Sequence, residues 1–435
     1  MFSERTNWQL AHNRFTRALE EARAAGVRLI DLTASNPTRV GLRYDAETIV
    51  RSLSSTQAMD YDPQAKGLLP AREAVAEYYR VDHGVDVDLE RIVLTTSTSE
   101  GYSFVFRLLC NAGDELLVPK PSYPLFEFLA DLQDVRLVPY PLIYDHGWQI
   151  DFHSMERAAT GRTRGVVVVH PNNPTGSYVS PGEREQLNEF CRERGLAVVV
   201  DEVFLDYGID GPQGLKASSS VALNGTAEAM PFPNTRSLHA PLDRHSPIQR
   251  LSRDDKAENL AGSFVGNGDV LTFTLSGLSK IAALPQMKVA WVVTSGPSEA
   301  VREAMARLEV VADTYLSMNA PVQLAVPVLL EQRKDIQRQL MERVRANLGE
   351  LDRRLADQKA CSRLEVEGGW YAVLRVPVTR SDEELAIELV REKRVLVHPG
   401  HFYDFAGDGY LVVSLIGEVG EFGEGMGRVL EHLVV

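Results

Sequence analysis

The sequence predicts an α/β protein, a mostly parallel sheet sandwiched by helices and followed by a smaller α+β C-terminal unit. Three observations predict it. Short Val-rich runs alternate with stretches of helical period from about residue 28 to residue 297. Two of those runs, the four valines at 166–169 and the segment LAVVV ending before Asp201, are apolar without alternation, as strands buried on both faces must be. After about residue 297 the texture changes to long charged helices interrupted by short strands.

Taken in order, residues 8–25 place apolar groups at helical spacing and stop at Gly26, a residue suited to a helix end, before the strand-like VRLIDLT. A helix in LLPAREAVAEYYR, a strand in RIVLTT, a helix from Glu100 to Asn111 and the strands ELLVP and VRLVP continue the rhythm. The valine run, a helix at 181–194, LAVVV, VLTFTL and KVAWVV complete the first unit. The second has helices through Arg354, a strand in GGWYAVLRV, a helix at 381–392, and strands in VLV and YLVVSL. Between them a Pro-, Ser- and Asn-rich stretch at about 212–262 shows no sustained period and reads as a flexible loop inserted into the first unit. The expected division is an N-terminal helix and arm at 1–45, a large unit at 46–316 and a small unit at 317–435.

Composition narrows the function. Of 435 residues, 60 are acidic and 46 basic, so a net charge of −14 disfavours nucleic acid as a partner. Cys110, Cys191 and Cys361 are widely spaced and odd in number, which suggests neither a disulfide framework nor a metal pair and fits a reducing cytoplasm. No apolar run reaches the eighteen or so residues that a membrane span needs. His398 and His401 lie in a Pro-Gly turn without a ligand cluster around them, so they read as loop histidines lining or supporting a pocket, and no metal is expected.

Two residues carry the first chemical signal. Asp201 closes an apolar strand, where carboxylates point into the crevice at the strand ends of open α/β sheets. Lys280 follows VLTFTL through the small-residue turn SGLS. Alone, each has an ordinary reading, as a capping acid and an exposed helix lysine.

With PNNPTG at 171–176 they acquire another. The blocks TTSTSEGYS (95–103), PSYP (121–124), PNNPTG, DEVF (201–204) and SGLSK (276–280), with YDPQAKG (61–67), GGWY (368–371) and HPGHFY (398–403) flanking them, stand in an order and spacing that resembles the class I/II aminotransferases of fold type I. The resemblance implies a seven-stranded-type large domain, pyridoxal 5′-phosphate as cofactor, and a homodimer with shared active sites. Lys280 would bond the cofactor aldehyde and, once displaced by a substrate amine, carry the proton at the α-carbon. Asp201 would hold the pyridinium nitrogen protonated. Asn173 would bond the ring 3′-oxygen and Tyr123 would stack on the ring. Ser97, Thr98 and Ser99, at a helix start, would take the phosphate. Ser276, Ser279 and Lys288 would add to that site, and Tyr61 would reach the phosphate of the neighbouring subunit. For each an ordinary role, as cap, turn former or packed aromatic, remains open. The implied function is ping-pong exchange of an amino group between an amino acid and a 2-oxo acid. A lyase or decarboxylase on the same fold is the alternative, and a non-catalytic effector-binding module a more distant one.

Four positions depart from the resembling family. Lys288 stands for a phosphate-binding arginine, Gly277 for a serine, Phe204 for a tyrosine that bonds the 3′-oxygen, and Val412 for the arginine that clamps the substrate carboxylate. Arg39 and Arg43 are the candidate substitutes for that clamp, and Trp370 a further candidate substrate contact.

Overall fold

A computed structural model describes residues 2–8, 11–209, 262–316 and 318–433. The insertion expected at 212–262 lies outside them, except for Gly262. Fourteen strands are present among the described residues: β1 (Ile30–Asp31), β2 (Ile92–Thr95), β3 (Glu115–Lys120), β4 (Arg136–Tyr144), β5 (Trp148–Ile150), β6 (Thr163–Val169), β7 (Ala197–Asp201), β8 (Thr272–Gly277), β9 (Ala290–Ser295), β10 (Ser362–Arg363), β11 (Tyr371–Arg375), β12 (Val395–Leu396), β13 (His398–Pro399) and β14 (Tyr410–Ser414).

The large sheet has eight strands in the order β2-β9-β8-β7-β6-β3-β4-β5. From β8 through β4 the neighbours are parallel, while β9 runs against both β8 and β2. The count exceeds the expected seven by β5, which folds back on an extended β4 through the turn at Asp145–Gly147 and shields an otherwise open sheet edge. The central strands read as predicted: Val166 to Val168 and Val198 to Val200 are almost wholly buried, because helices cover both faces. One such helix, Pro181–Arg194, shows how the sequence sets its bounds. Ser180 and Glu183 form a reciprocal capping box, Pro181 occupies the first turn, and Gly195 ends the helix in the left-handed region at φ 63°.

The N-terminal helix is shorter than the periodicity suggested. It spans Arg14–Ala24, because Asn13 accepts a hydrogen bond from the Thr16 N–H and fixes the start there. The chain then forms β1, which pairs in parallel with β12 near the other end of the sequence. Phe15, Ala18, Ile30 and Leu32 share one apolar core with β11, β14 and the helices Arg333–Ala356 and Val419–Leu433.

A four-stranded antiparallel sheet, β10-β11-β14-β13, completes the C-terminal part. His398 and Pro399 belong to it: they pair with Val412 and Leu411, so His398 is a strand residue, and the Pro-Gly turn expected there begins one residue later.

Candidate active site

Register places the chemistry. Thr95 of β2 and Gly277 of β8 both pair with Ala290 of β9, and Asp201 of β7 pairs with Leu275 of β8 and Val169 of β6. The carboxyl ends of β2, β6, β7 and β8 therefore lie level. From them depart the Ser97 turn, the PNNPTG turn, Asp201 and the short helix Leu278–Ile281 that bears Lys280.

Lys280 is partly buried. Its Nζ lies 4.8 Å from the centre of the Trp370 ring and 5.4 Å from that of Phe204, and it makes no hydrogen bond among the described residues. Burial lowers its pKa to about 8, against the opposing pull of Asp201. The backbone beneath it is fastened at three carbonyls. Tyr207 donates to that of Lys280 at 2.6 Å, Gln337 to that of Ile281 at 2.9 Å, and Tyr44 to that of Ala283 at 2.9 Å.

Asp201 receives the Val203 N–H at 3.1 Å on Oδ1 and the Tyr102 hydroxyl at 3.2 Å on Oδ2. Burial nonetheless raises its carboxyl to about 6, so two neutral donors and the Lys280 charge do not offset desolvation. Glu202 points the other way. It accepts from Ser263 Oγ at 2.7 Å and from the Phe264 N–H at 2.6 Å, and so anchors the segment that leads into β8.

The remaining candidates fall into two groups. Asn173 Oδ1 is buried with no hydrogen-bond partner among the described residues, and Tyr123 stands 46% exposed with its phenol raised in pKa by burial and by the nearby charge of Asp201. Ser97 caps the helix Thr98–Leu109 by accepting from the Glu100 N–H. The Thr98 and Ser99 N–H groups meet no protein acceptor among the described residues and remain open to an anion. Ser279 sits beside Lys280, and exposed Lys288 adopts a left-handed backbone at φ 53°.

Others stand apart. Ser276 lies inside β8, buried, and donates to the Glu202 carbonyl at 3.4 Å. Gly277 is glycine for a steric reason: a Cβ there would sit 2.8 Å from both the Ala290 Cβ and the Val289 carbonyl oxygen. Tyr61 is 81% exposed. Arg39 and Arg43 are both exposed, and the charge that Arg43 is felt by is Asp335. Val412 is wholly buried, its cross-strand neighbours being Val373 and His398. Trp370 is also wholly buried, packed on Phe204 and Tyr207 at 5.2 and 5.1 Å between ring centres, and its Nε1 has no hydrogen-bond partner among the described residues.

Sequence reasoning missed Tyr102, Tyr207, Gln337, Tyr371 and Tyr403. Tyr102 had a signal, since it lies one helical turn beyond Thr98 and so on the same helix face. Tyr371 and Tyr403 close the blocks GGWY and HPGHFY, whereas Tyr207 and Gln337 had no signal.

The cofactor implied by the resemblance fits these residues. A partly buried amine without a hydrogen bond among the described residues, a carboxylate left short of positive charge and free N–H groups at a helix start match, respectively, its aldehyde, ring nitrogen and phosphate, while the Asn173 amide has an NH2 that can donate to its ring oxygen.

Comparison with known proteins identifies the family. The family model "Aminotransferase class I and II" matches residues 27–415. The chain is 25% identical over 401 residues to the glutamate-pyruvate aminotransferase AlaA of Escherichia coli, covering 90% of this chain and 87% of that one. It is 25% identical over 399 residues to the alanine aminotransferase of Mycobacterium tuberculosis, covering 89% and 81%. Among solved structures, an alanine aminotransferase from Pyrococcus furiosus superposes with a TM-score of 0.79 at 20% identity over the whole of both chains.

Proposed function

The chain belongs to the class I and II aminotransferase family, and from that premise we propose how its own residues perform the transfer. The reaction is exchange of an amino group between an amino acid and a 2-oxo acid in two half-reactions. The alternative of a lyase or decarboxylase is not favoured, since the relatives above are named for amino-group transfer.

Pyridoxal 5′-phosphate, when bound, supplies an aldehyde that captures amines and a ring that accepts electrons. Lys280 would hold it. The observation that carries this reading is the partly buried, hydrogen-bond-free amine of Lys280 at the end of β8. With a pKa near 8 the amine is partly neutral at physiological pH, so it can both bond a carbonyl carbon and take a proton from the substrate α-carbon. Asp201 would oppose a positive ring nitrogen, and Tyr102, donating to the Asp201 carboxylate, would hold its orientation. Asn173 would donate to the ring oxygen alone, because Phe204 has no hydroxyl. The Thr98 and Ser99 N–H groups, Ser279 and Lys288 would hold the phosphate, Lys288 as a point charge.

The names of the relatives suggest small substrates, L-alanine with L-glutamate and their 2-oxo acids. A homodimer, in which exposed Tyr61 reaches the partner's site, and a cytoplasmic setting complete the proposal. No helix among the described residues is long and apolar enough to cross a membrane. Two measurements test it. Borohydride reduction of the holoenzyme followed by peptide mass analysis should place the pyridoxyl group on Lys280. Adding amino acids singly should then bleach the bound chromophore with alanine or glutamate; label on another lysine, or no response to any amino acid, refutes the reading.

A further inference from the structure

A substrate carboxylate that leaves water needs a partner, and Val412, in the wholly buried middle of β14, offers none. The residue directly opposite it on β13 is His398. Opposed residues of an antiparallel pair project from the same sheet face with Cβ atoms about 4.5–5.5 Å apart, so His398 overhangs the space that a side chain at position 412 would serve. The same face carries Tyr371, whose register partner is Ser414, two residues along from Val412.

That face meets the site. Tyr371 and Tyr403 are buried; the Tyr371 phenol feels that of Tyr123, the Tyr403 phenol feels both, and Tyr123 feels Asp201. Ser122, beside Tyr123, donates its N–H to the Tyr403 carbonyl at 2.9 Å, which ties the two segments together. His398 Nδ1 and the Tyr403 hydroxyl are 3.0 Å apart.

We infer that His398 and Tyr403 together bind the substrate α-carboxylate, in the place of an arginine at position 412. This rests on the aminotransferase reading and deepens it. A protonated His398 donates its Nδ1–H to the Tyr403 oxygen, which frees the phenol hydrogen to donate to the carboxylate; the proton comes from solvent. Substrate binding is then coupled to proton uptake. Burial holds the His398 pKa below its ordinary value in the empty site, and Asp31 of β1 opposes that. Of the other groups packed around β13, Tyr403 and Phe402 come from the turn Gly400–Tyr403, and Asp382, on the helix Asp382–Glu388, is coupled to His401. A bound carboxylate raises the His398 pKa, so affinity is full below the empty-site value and falls as pH rises from there to the occupied-site value.

The test compares L-alanine with ethylamine, which is alanine without its carboxylate, in half-reactions of the holoenzyme. In the wild type the alanine preference should fall as pH rises from the empty-site to the occupied-site pKa of His398. His398→Gln should raise KM for alanine by about 10- to 100-fold, change kcat by less than about threefold, leave ethylamine unaffected and abolish the pH dependence of the preference. Tyr403→Phe should raise KM for alanine in the same selective way, and serves if the histidine variant does not fold. Equal effects on both substrates, an unchanged alanine KM, or a selective KM rise in Arg43→Met with none in His398→Gln overturns the assignment. A wild type that converts no amino acid overturns the aminotransferase reading along with it.

Discussion

The two walls of the site are built in different ways. The Lys280 wall is a row of strand ends in one sheet, and each of its residues stands within a few positions of an apolar run that announces it. The opposite wall gathers Asp31, Tyr371, His398, Tyr403 and Val412 from β1, β11, β13, β14 and a short turn, and only His398 and Tyr403 share a motif, HPGHFY. A wall made of local turns is constrained by the backbone, which fixes where each residue stands even though three of the four departures from the family, Phe204, Gly277 and Lys288, fall on it. A wall made by packing can exchange one side chain for another across a strand pair, as long as the charge arrives at the same point.

The variants that divide the walls run from the largest effect to the smallest. Lys280→Ala should lower turnover by at least about three decades and remove the borohydride-fixed pyridoxyl group, and no substitution on the opposite wall should do both. Survival of either would mean that the lysine wall is not where the chemistry resides.

Asp201→Asn should lower turnover by roughly two decades yet stabilise the cofactor-free protein. The folded state holds the Asp201 proton more tightly than the unfolded chain does, because burial raises the carboxyl from 3.8 to about 6. Ionisation therefore costs stability, nothing below about pH 4, increasingly up to about pH 6 and fully above it. Thermal melts at pH 8 should show the variant more stable by about 1–3 kcal/mol, a gain that vanishes near pH 4. A variant less stable than wild type at pH 8 would mean that the bonds from Val203 and Tyr102 outweigh desolvation.

Gly277→Ser tests whether the departure on the lysine wall is steric. The added atoms would force β8 and β9 apart at Ala290, at a cost of about 1–3 kcal/mol read as a lowered Tm. An unchanged Tm would free that position for a phosphate ligand. Smallest is Lys288→Ala, which removes one exposed point charge and should weaken retention of the cofactor about tenfold, measured by equilibrium dialysis, with the fold intact.

Legibility followed the same division. Asp201 and Lys280 could be found because a strand period of two or an unbroken apolar run fixes where a strand ends, and a chemical residue at such an end is conspicuous. The parallel core was legible for the same reason. His398 was read as a turn residue because Pro399 and Gly400 follow it, and its pairing with Val412 depends on contacts fourteen residues away. Ser276 looked like a free hydroxyl beside the lysine, but β8 runs two residues further than VLTFTL suggested and turns it inward. Trp370 over Lys280 and Tyr207 beneath it unite segments about 90 and 73 residues distant in sequence, a distance that no local pattern spans.

The pairing of β1 with β12 sets a schedule for the chain. Ile30 meets Val395, and 395 − 30 leaves 365 residues to be made before the partner exists. At a synthesis rate of about 5–20 residues per second, that interval is roughly 20–70 s. Throughout it, the apolar positions Phe15, Ala18, Ile30 and Leu32 have no core to enter, since the rest of their cluster lies mostly beyond residue 336. On the ribosome the first thirty residues must wait while the large sheet folds ahead of them, and a nascent chain stalled before Val395 would present that unsatisfied segment to chaperones and proteases.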